Sequence, residues 1–338
     1  MFHITTREAQ AGHFSGSVYT LADQAESVRA DVWPFLGMNC LRWQVRNPDG
    51  SWGSLLYSAP DWEANPVPTR SGHPVLCPFP NRMKDGRFPF AGHTYQLPRN
   101  ESTGKHAIHG FTPRNPWRVV GLEATTDSAS LTGQFQLSKD LPEALAYWPA
   151  DFCITLTYRL TARNLRVDAL VQNPGTSPLP FGIGYHPYFC LPTAPDAAVD
   201  DMILQTTANS LWVAESSLAT GDKTTIPQEI DFRRAHLIGD VTLDHLFGDR
   251  PLMNTGSLEP VAWLRHRSAP GQLTVSTDPA FRELLLFTPP HRKSLAIEPY
   301  TCTTDAANFA DRGIDSGWRV VAGGDEFRSS VEYSWQPV

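Results

Sequence analysis

The chain has 338 residues, 41% of them hydrophobic and 19% charged, a balance that supports a sizeable core and excludes a disordered, charge-rich polymer. Its net charge of −7, without a cluster of Lys and Arg, argues against a nucleic-acid surface, so no nucleic-acid partner is expected. Residues 1–10 lack the basic-then-apolar order of a signal peptide, and no run approaches the roughly 18 apolar residues of a membrane span, so a cytoplasmic location with no membrane partner is expected.

Along the chain, a two-residue hydrophobic period rich in β-branched and aromatic side chains predicts strands over 117–126, 130–137, 152–161, 165–172, 272–277, 283–288 and 294–300. Ala91-Gly92, between 87–90 and 93–97, and Ala162-Arg163-Asn164 mark tight connections between strands. Helical periodicity over three turns is missing, and 141–147 is the best candidate for a short helix. The 24 Gly and 29 Pro fit many short strands joined by turns. With no linker and no repeat, the expectation is all-β: a large β-sandwich with few short helices, spanning 1–338 as one domain. Cys40, Cys77, Cys153, Cys190 and Cys302 lack C-x-x-C spacing, which predicts buried, reduced thiols in place of a zinc knuckle or redox pair.

Five clusters carry candidate chemistry. In 78–83, Asn81 and Arg82 lie among apolar residues and prolines. The planar guanidinium suits a row of sugar hydroxyls or a carboxylate, and equally a buried salt bridge between loops. In 105–111, His106 and His109 have the spacing of a metal pair, but no third and fourth ligand follows, so hydrogen bonding fits better and no metal is expected. In 181–189, Gly182 and Gly184 let something approach the main chain closely, and Pro187 pushes His186 toward an extended backbone. That aims an imidazole suited to proton transfer into a cleft; the same residues also fit a core histidine bonded to a carbonyl. Asp244, before His245, either accepts from hydroxyls or caps a turn.

Glu298 ends an apolar strand and precedes Pro299, which predicts a buried carboxylate that is either paired or poised as an acid or base. The run Gly323-Gly324-Asp325-Glu326-Phe327, a pentapeptide associated with diguanylate cyclases, lacks an α/β nucleotide-binding frame and reads as a hairpin turn.

In this order, Asn81-Arg82, His109-Gly110, Tyr185-His186-Pro187-Tyr188-Phe189, Asp244-His245 and Glu298 followed by Thr304-Asp305-Ala306-Ala307-Asn308 resemble the motif series of the aldose 1-epimerase (galactose mutarotase-like) family. The resemblance implies a β-supersandwich and a small-molecule sugar substrate, with no cofactor. By motif it implies Glu298 as general base and His186 as general acid. His109 would lie near the ring oxygen, and Asn81, Arg82 and Asp244 would bind the substrate. His106 matches no position of the motif. Met83, Phe111 and Pro299-Tyr300 depart from the best-known galactose mutarotases and mark another branch, which leaves the identity of the sugar open.

The activity so implied is interconversion of the α and β anomers of a free aldose, with Tyr188, Phe247 and Tyr300 available to pack against the sugar's C–H face. Two rivals share these residues: a carbohydrate-binding protein without catalysis, and a hexose-phosphate epimerase of the same family. A glycoside hydrolase needs a second carboxylate flanking the bond, and Glu298 is the one persuasive candidate.

Overall fold

Cys153–Leu160 and Asn164–Gln172 show why these sequences form strands. Ile154, Leu156, Tyr158 and Leu160 on the first, and Leu165, Val167, Ala169 and Val171 on the second, are all buried and alternate with half-buried residues that are polar except for Leu170. Full burial of such a side chain stabilises by about 1.5–3 kcal/mol. A computed structural model describes residues 1–192, 198–251 and 257–337.

Among these residues the strands form three large antiparallel sheets. The first runs in chain order through Phe2–Ala11, Phe14–Asp23, Val28–Trp33, Asn39–Arg46 and Trp52–Ser54. The second orders its strands Arg118–Ala124, Ala129–Gln136, Cys153–Leu160, Asn164–Gln172, Glu326–Gln336, Gln272–Thr277, Glu259–His266, Met202–Thr206 and His236–Leu237. The third runs Leu218–Thr224, Ser210–Glu215, Asp244–Gly248, Glu283–Phe287, Leu295–Tyr300, Gly184–Tyr185 and Val75–Leu76, with Tyr188–Phe189 also paired to Leu295–Tyr300. One hydrophobic cluster, from Phe2 to Trp335, joins side chains of all three.

The third sheet positions the candidate site because both its faces are covered. Phe247, Leu284, Leu286 and Ile297 point into the main core, whereas Leu246, Leu285 and Tyr300 join Leu76, Trp212 and Phe309 in a separate cluster on the opposite face. Glu298 pairs with Leu285 and Leu285 with Leu246, while Ala296 pairs with Phe287 and Phe287 with Asp244. Directly opposed residues share a face of a sheet. Glu298, Tyr300, Phe287 and Asp244 therefore all point away from the main core.

The predicted strands appear with ends shifted by a few residues, as in Arg118–Ala124 and Leu295–Tyr300. The helix expected over 141–147 is instead a short α-helix, Leu137–Asp140, followed by a 3₁₀ turn, Pro142–Ala146, because Pro142 cannot continue the preceding turn. The glycine-rich run at 323–327 is a turn but not a hairpin. Arg319–Val321 pairs with Leu179–Phe181, whereas Glu326–Gln336 enters the second sheet. Among the described residues no helix is long and apolar enough to cross a membrane, and all five cysteines are free thiols, four of them buried.

Candidate active site

Glu298 sits on the middle of the sheet with its side chain 1% exposed. Its Oε2 accepts a hydrogen bond from the Tyr300 hydroxyl, two residues along the same strand and so on the same face. Its Oε1 lies 3.2 Å from His186 Nε2, within ion-pair distance but without the alignment of a hydrogen bond. Burial pushes the Glu298 carboxyl well above its ordinary range; the Tyr300 hydrogen bond opposes that rise and the nearby Asp244 charge adds to it.

His186 follows Gly184–Tyr185, the strand that pairs with Tyr300 on one side and with Leu76 and Val75 on the other. Both glycines before it serve close approach. A Cβ on Gly184 would lie 2.4 Å from Tyr300 Cδ1, and one on Gly182 would lie 2.4 Å from Cys302 Sγ. The His186 N–H donates to the Pro74 carbonyl at 3.0 Å, and its ring stacks on Tyr188 with centroids 4.5 Å apart.

A count of hydrogens assigns the tautomer. The Tyr188 hydroxyl donates its one hydrogen to the Thr69 carbonyl, so its 3.2 Å contact with His186 Nε2 is a hydrogen bond only when Nε2–H donates. Nδ1 is buried and has no partner. Aiming Nε2–H at Tyr188 also explains why Nε2 and Oε1 are close yet misaligned. Burial pushes the His186 imidazole down to about 3. Raised on the carboxyl and lowered on the imidazole, the two shifts favour a pair that holds one exchangeable proton and no net charge.

His109 stands beside this pair, its ring centroid 5.7 Å from that of His186 and nearly perpendicular to it. The His109 N–H donates to the Asn81 carbonyl at 2.9 Å, and the Asn81 N–H donates to His109 Nδ1 at 3.2 Å, which leaves the ring proton on Nε2. Burial, followed by the neighbouring His186, Arg82 and Arg114, holds His109 well below its ordinary value and so uncharged.

Arg82 donates through Nε to Glu101 Oε1 at 2.5 Å and through Nη1 to Asn81 Oδ1 at 3.3 Å, while Nη2 makes no hydrogen bond among the described residues. Thr103 holds the other Glu101 oxygen at 2.8 Å. Asn81 is buried: its Oδ1 also accepts from the Arg82 N–H at 2.8 Å and from Thr304 Oγ1 at 3.4 Å. Asp244 lies exposed at the end of its strand, and its carboxylate makes no hydrogen bond or salt bridge among the described residues.

The structure thus brings Glu298, His186, His109, Asn81 and Arg82 together, with Asp244 on the same sheet face. It leaves His106 out of this group; the His106 Nδ1 accepts from the Asp85 N–H at 3.0 Å, 21 residues away. Phe247 does not face the site; it is 1% exposed in the main core. Tyr188 and Tyr300 are buried with their hydroxyls engaged, so each acts through its oxygen and does not offer an open ring face. Glu101 was signalled by nothing in the sequence, whereas Tyr300 stands at the two-residue spacing that puts it on the face of Glu298. Among the described residues, no group of three or more His, Cys, Asp or Glu is placed to hold a metal ion.

The chain is similar to known proteins in sequence and in fold. The chain is 30% identical over 246 residues to YihR, an uncharacterized protein of Escherichia coli (strain K12), covering 71% of this chain and 72% of that one. Its fold matches a galactose mutarotase-like protein from Clostridium acetobutylicum, with a TM-score of 0.86 at 21% identity over 100% of this chain and 99% of the other. It also matches galactose 1-epimerase from Lactobacillus acidophilus NCFM, with a TM-score of 0.76 at 18% identity, covering 100% and 99%. The fold is therefore the galactose mutarotase-like sandwich. Residues 24–334 match the family model described as Aldose 1-epimerase, and with the site's motifs falling inside that span, the chain belongs to the aldose 1-epimerase family.

Proposed function

We propose that this protein is a mutarotase, interconverting the α and β anomers of a free aldose by acid–base opening and reclosure of the sugar ring. One observation carries the reading: a buried carboxyl oxygen and a buried imidazole nitrogen face each other 3.2 Å apart, and neither is satisfied by a hydrogen bond to the other. A purely structural pair would have aligned to satisfy Oε1, which is buried and has no hydrogen bond.

Ring opening needs one proton removed from the anomeric hydroxyl and one delivered to the ring oxygen. The ion-pair form, a Glu298 carboxylate with a His186 imidazolium protonated on both nitrogens, carries no net charge, as the neutral form does, so burial does not forbid it. Nε2 already holds a hydrogen, so this form is reached by proton exchange at Nδ1 and not by transfer from Oε1 to Nε2. Glu298 Oε1 then takes the O1 proton while His186 Nε2 protonates O5, and the C1–O5 bond breaks to give the aldehyde. The pair returns to its neutral form in the same step. Rotation about C1–C2 and reversal of both transfers close the ring on its other face. Arg82 Nη2 and the Asp244 carboxylate, neither hydrogen-bonded among the described residues, hold the hydroxyls, and neutral His109 donates near the ring oxygen.

General acid and general base each contribute about 10² to 10⁴ in rate. Glu298→Gln and His186→Ala should each lower kcat for anomer exchange by about 10² or more, with both variants keeping the wild-type far-ultraviolet circular dichroism. Saturation-transfer NMR on a panel of freshly dissolved aldoses reads the exchange directly. Wild-type exchange in either variant would remove that residue from the mechanism, and no exchange with any aldose would refute the activity.

A further inference from the structure

Resting on the acid–base reading of Glu298, we infer that Tyr300 is a positioning residue: its hydroxyl fixes Glu298 Oε2 and leaves Oε1 as the atom that reacts. The phenol has a single hydrogen and spends it on Glu298 Oε2. Both groups are buried, Tyr300 and Glu298 each at 0% exposure. In such surroundings the hydrogen bond is stronger than it would be in water.

The consequence for the reaction is specific. A donor on Oε2 stabilises the carboxylate over the carboxylic acid and works against desolvation, the force that holds the proton on Glu298. The same donor blocks rotation of the carboxyl group, so the one oxygen left bare is Oε1, which faces His186 Nε2. Tyr300 therefore makes the ion-pair form of Glu298 and His186 accessible and selects which oxygen takes the anomeric proton. The packing around Gly184 supports that role. The absence of a Cβ there, at 2.4 Å from Tyr300 Cδ1 and 2.8 Å from Pro80 Cβ, is what lets the phenol ring lie in register beside Glu298.

Tyr300→Phe removes the hydroxyl and keeps the ring that packs on Leu76 and Leu285. Infrared difference spectra titrate the Glu298 carboxyl directly, its band identified by its loss in Glu298→Gln. In Tyr300→Phe the carboxylate fraction at a given pH should fall about tenfold, since a hydrogen bond to a charged acceptor is lost. Anomer exchange should fall about tenfold or more in kcat with little change in KM, and its alkaline limb should move to higher pH. Installing 3-fluorotyrosine at Tyr300, a near-isosteric and stronger donor, should move the carboxyl titration the opposite way. An unchanged Glu298 titration in both variants would overturn the role. Because the infrared readout needs no turnover, a wild-type protein that exchanges no anomers would refute the proposed activity without deciding the role of Tyr300.

Discussion

Arg82 illustrates how a site residue depends on one that no motif marks. Its Nε is held by Glu101, whose carboxylate is itself held by Thr103, so the guanidinium is fixed with Nη2 unbonded among the described residues. Burial acts to raise the Glu101 carboxyl, but the Arg82 and Thr103 hydrogen bonds outweigh it and hold the group below its ordinary value. Glu101→Gln keeps one acceptor and loses the charge-assisted geometry, a loss of about 1.5–3 kcal/mol in the hydrogen bond. If Arg82 binds sugar hydroxyls, KM for the preferred aldose should rise about tenfold while kcat changes little; an unchanged KM would show that Arg82 needs no anchor. At this scale the sequence was informative where a residue's own neighbours betray its setting. Glu298 at the end of an apolar strand and His186 between two glycines and a proline are of that kind. Glu101 is not, because its partner lies 19 positions away across a loop and its flanks are ordinary polar residues.

Among elements, the pairing of Gly184–Tyr185 with Leu295–Tyr300 is what brings His186 to Glu298. The glycines at 182 and 184 announced a close approach in the sequence but not what approaches, since the partners, Cys302 and Tyr300, lie more than a hundred residues on. Gly184→Ala would force Tyr300 or Pro80 to move, with a cost of about 1–3 kcal/mol from overpacking. Because the Tyr300 ring would be displaced, anomer exchange should fall by more than that stability loss explains; full activity with only a lowered melting temperature would show that the contact matters for packing alone. Strand prediction followed the same logic of local signal. Cys153–Leu160 and Asn164–Gln172 alternate cleanly because one face is core and the other is wet. Phe2–Ala11 carries four consecutive exposed residues in its middle, so no two-residue hydrophobic period marks that strand. The turn at 323–327 was legible as a turn, but its flanking strands enter different sheets, a choice made by tertiary pairing and invisible in the local residues.

Across the whole molecule, burial of ionisable groups couples stability to pH with opposing signs. Glu298, pushed up by burial, binds its proton more tightly when folded, so it stabilises below the ordinary carboxyl range and loses that contribution as pH rises. His186, pushed down to about 3, does the reverse: the unfolded chain takes up its proton below about 6.5 and the folded chain does not. Within the catalytic pair these two dependences offset each other over the range in which both operate. His73 has no such counterpart. It is fully buried between the Tyr158 and Tyr333 hydroxyls, at 2.9 and 2.7 Å, and burial pushes it down to about 3 as well. Its contribution is complete above about pH 6.5 and is lost as pH falls toward 3, at about 1.4 kcal/mol per pH unit. The test compares urea unfolding of the wild type and His73→Phe at pH 7 and pH 5. The variant is less stable at both, because two tyrosine hydroxyls lose their partner, but its deficit should shrink by about 2 kcal/mol at pH 5, where the wild type alone holds a buried imidazole out of reach of protons. A deficit that stays constant would mean that His73 is protonated in the folded core, and the hydrogen-bonding of the Tyr158–His73–Tyr333 bridge would then have to be reversed, with the imidazolium donating to both hydroxyls.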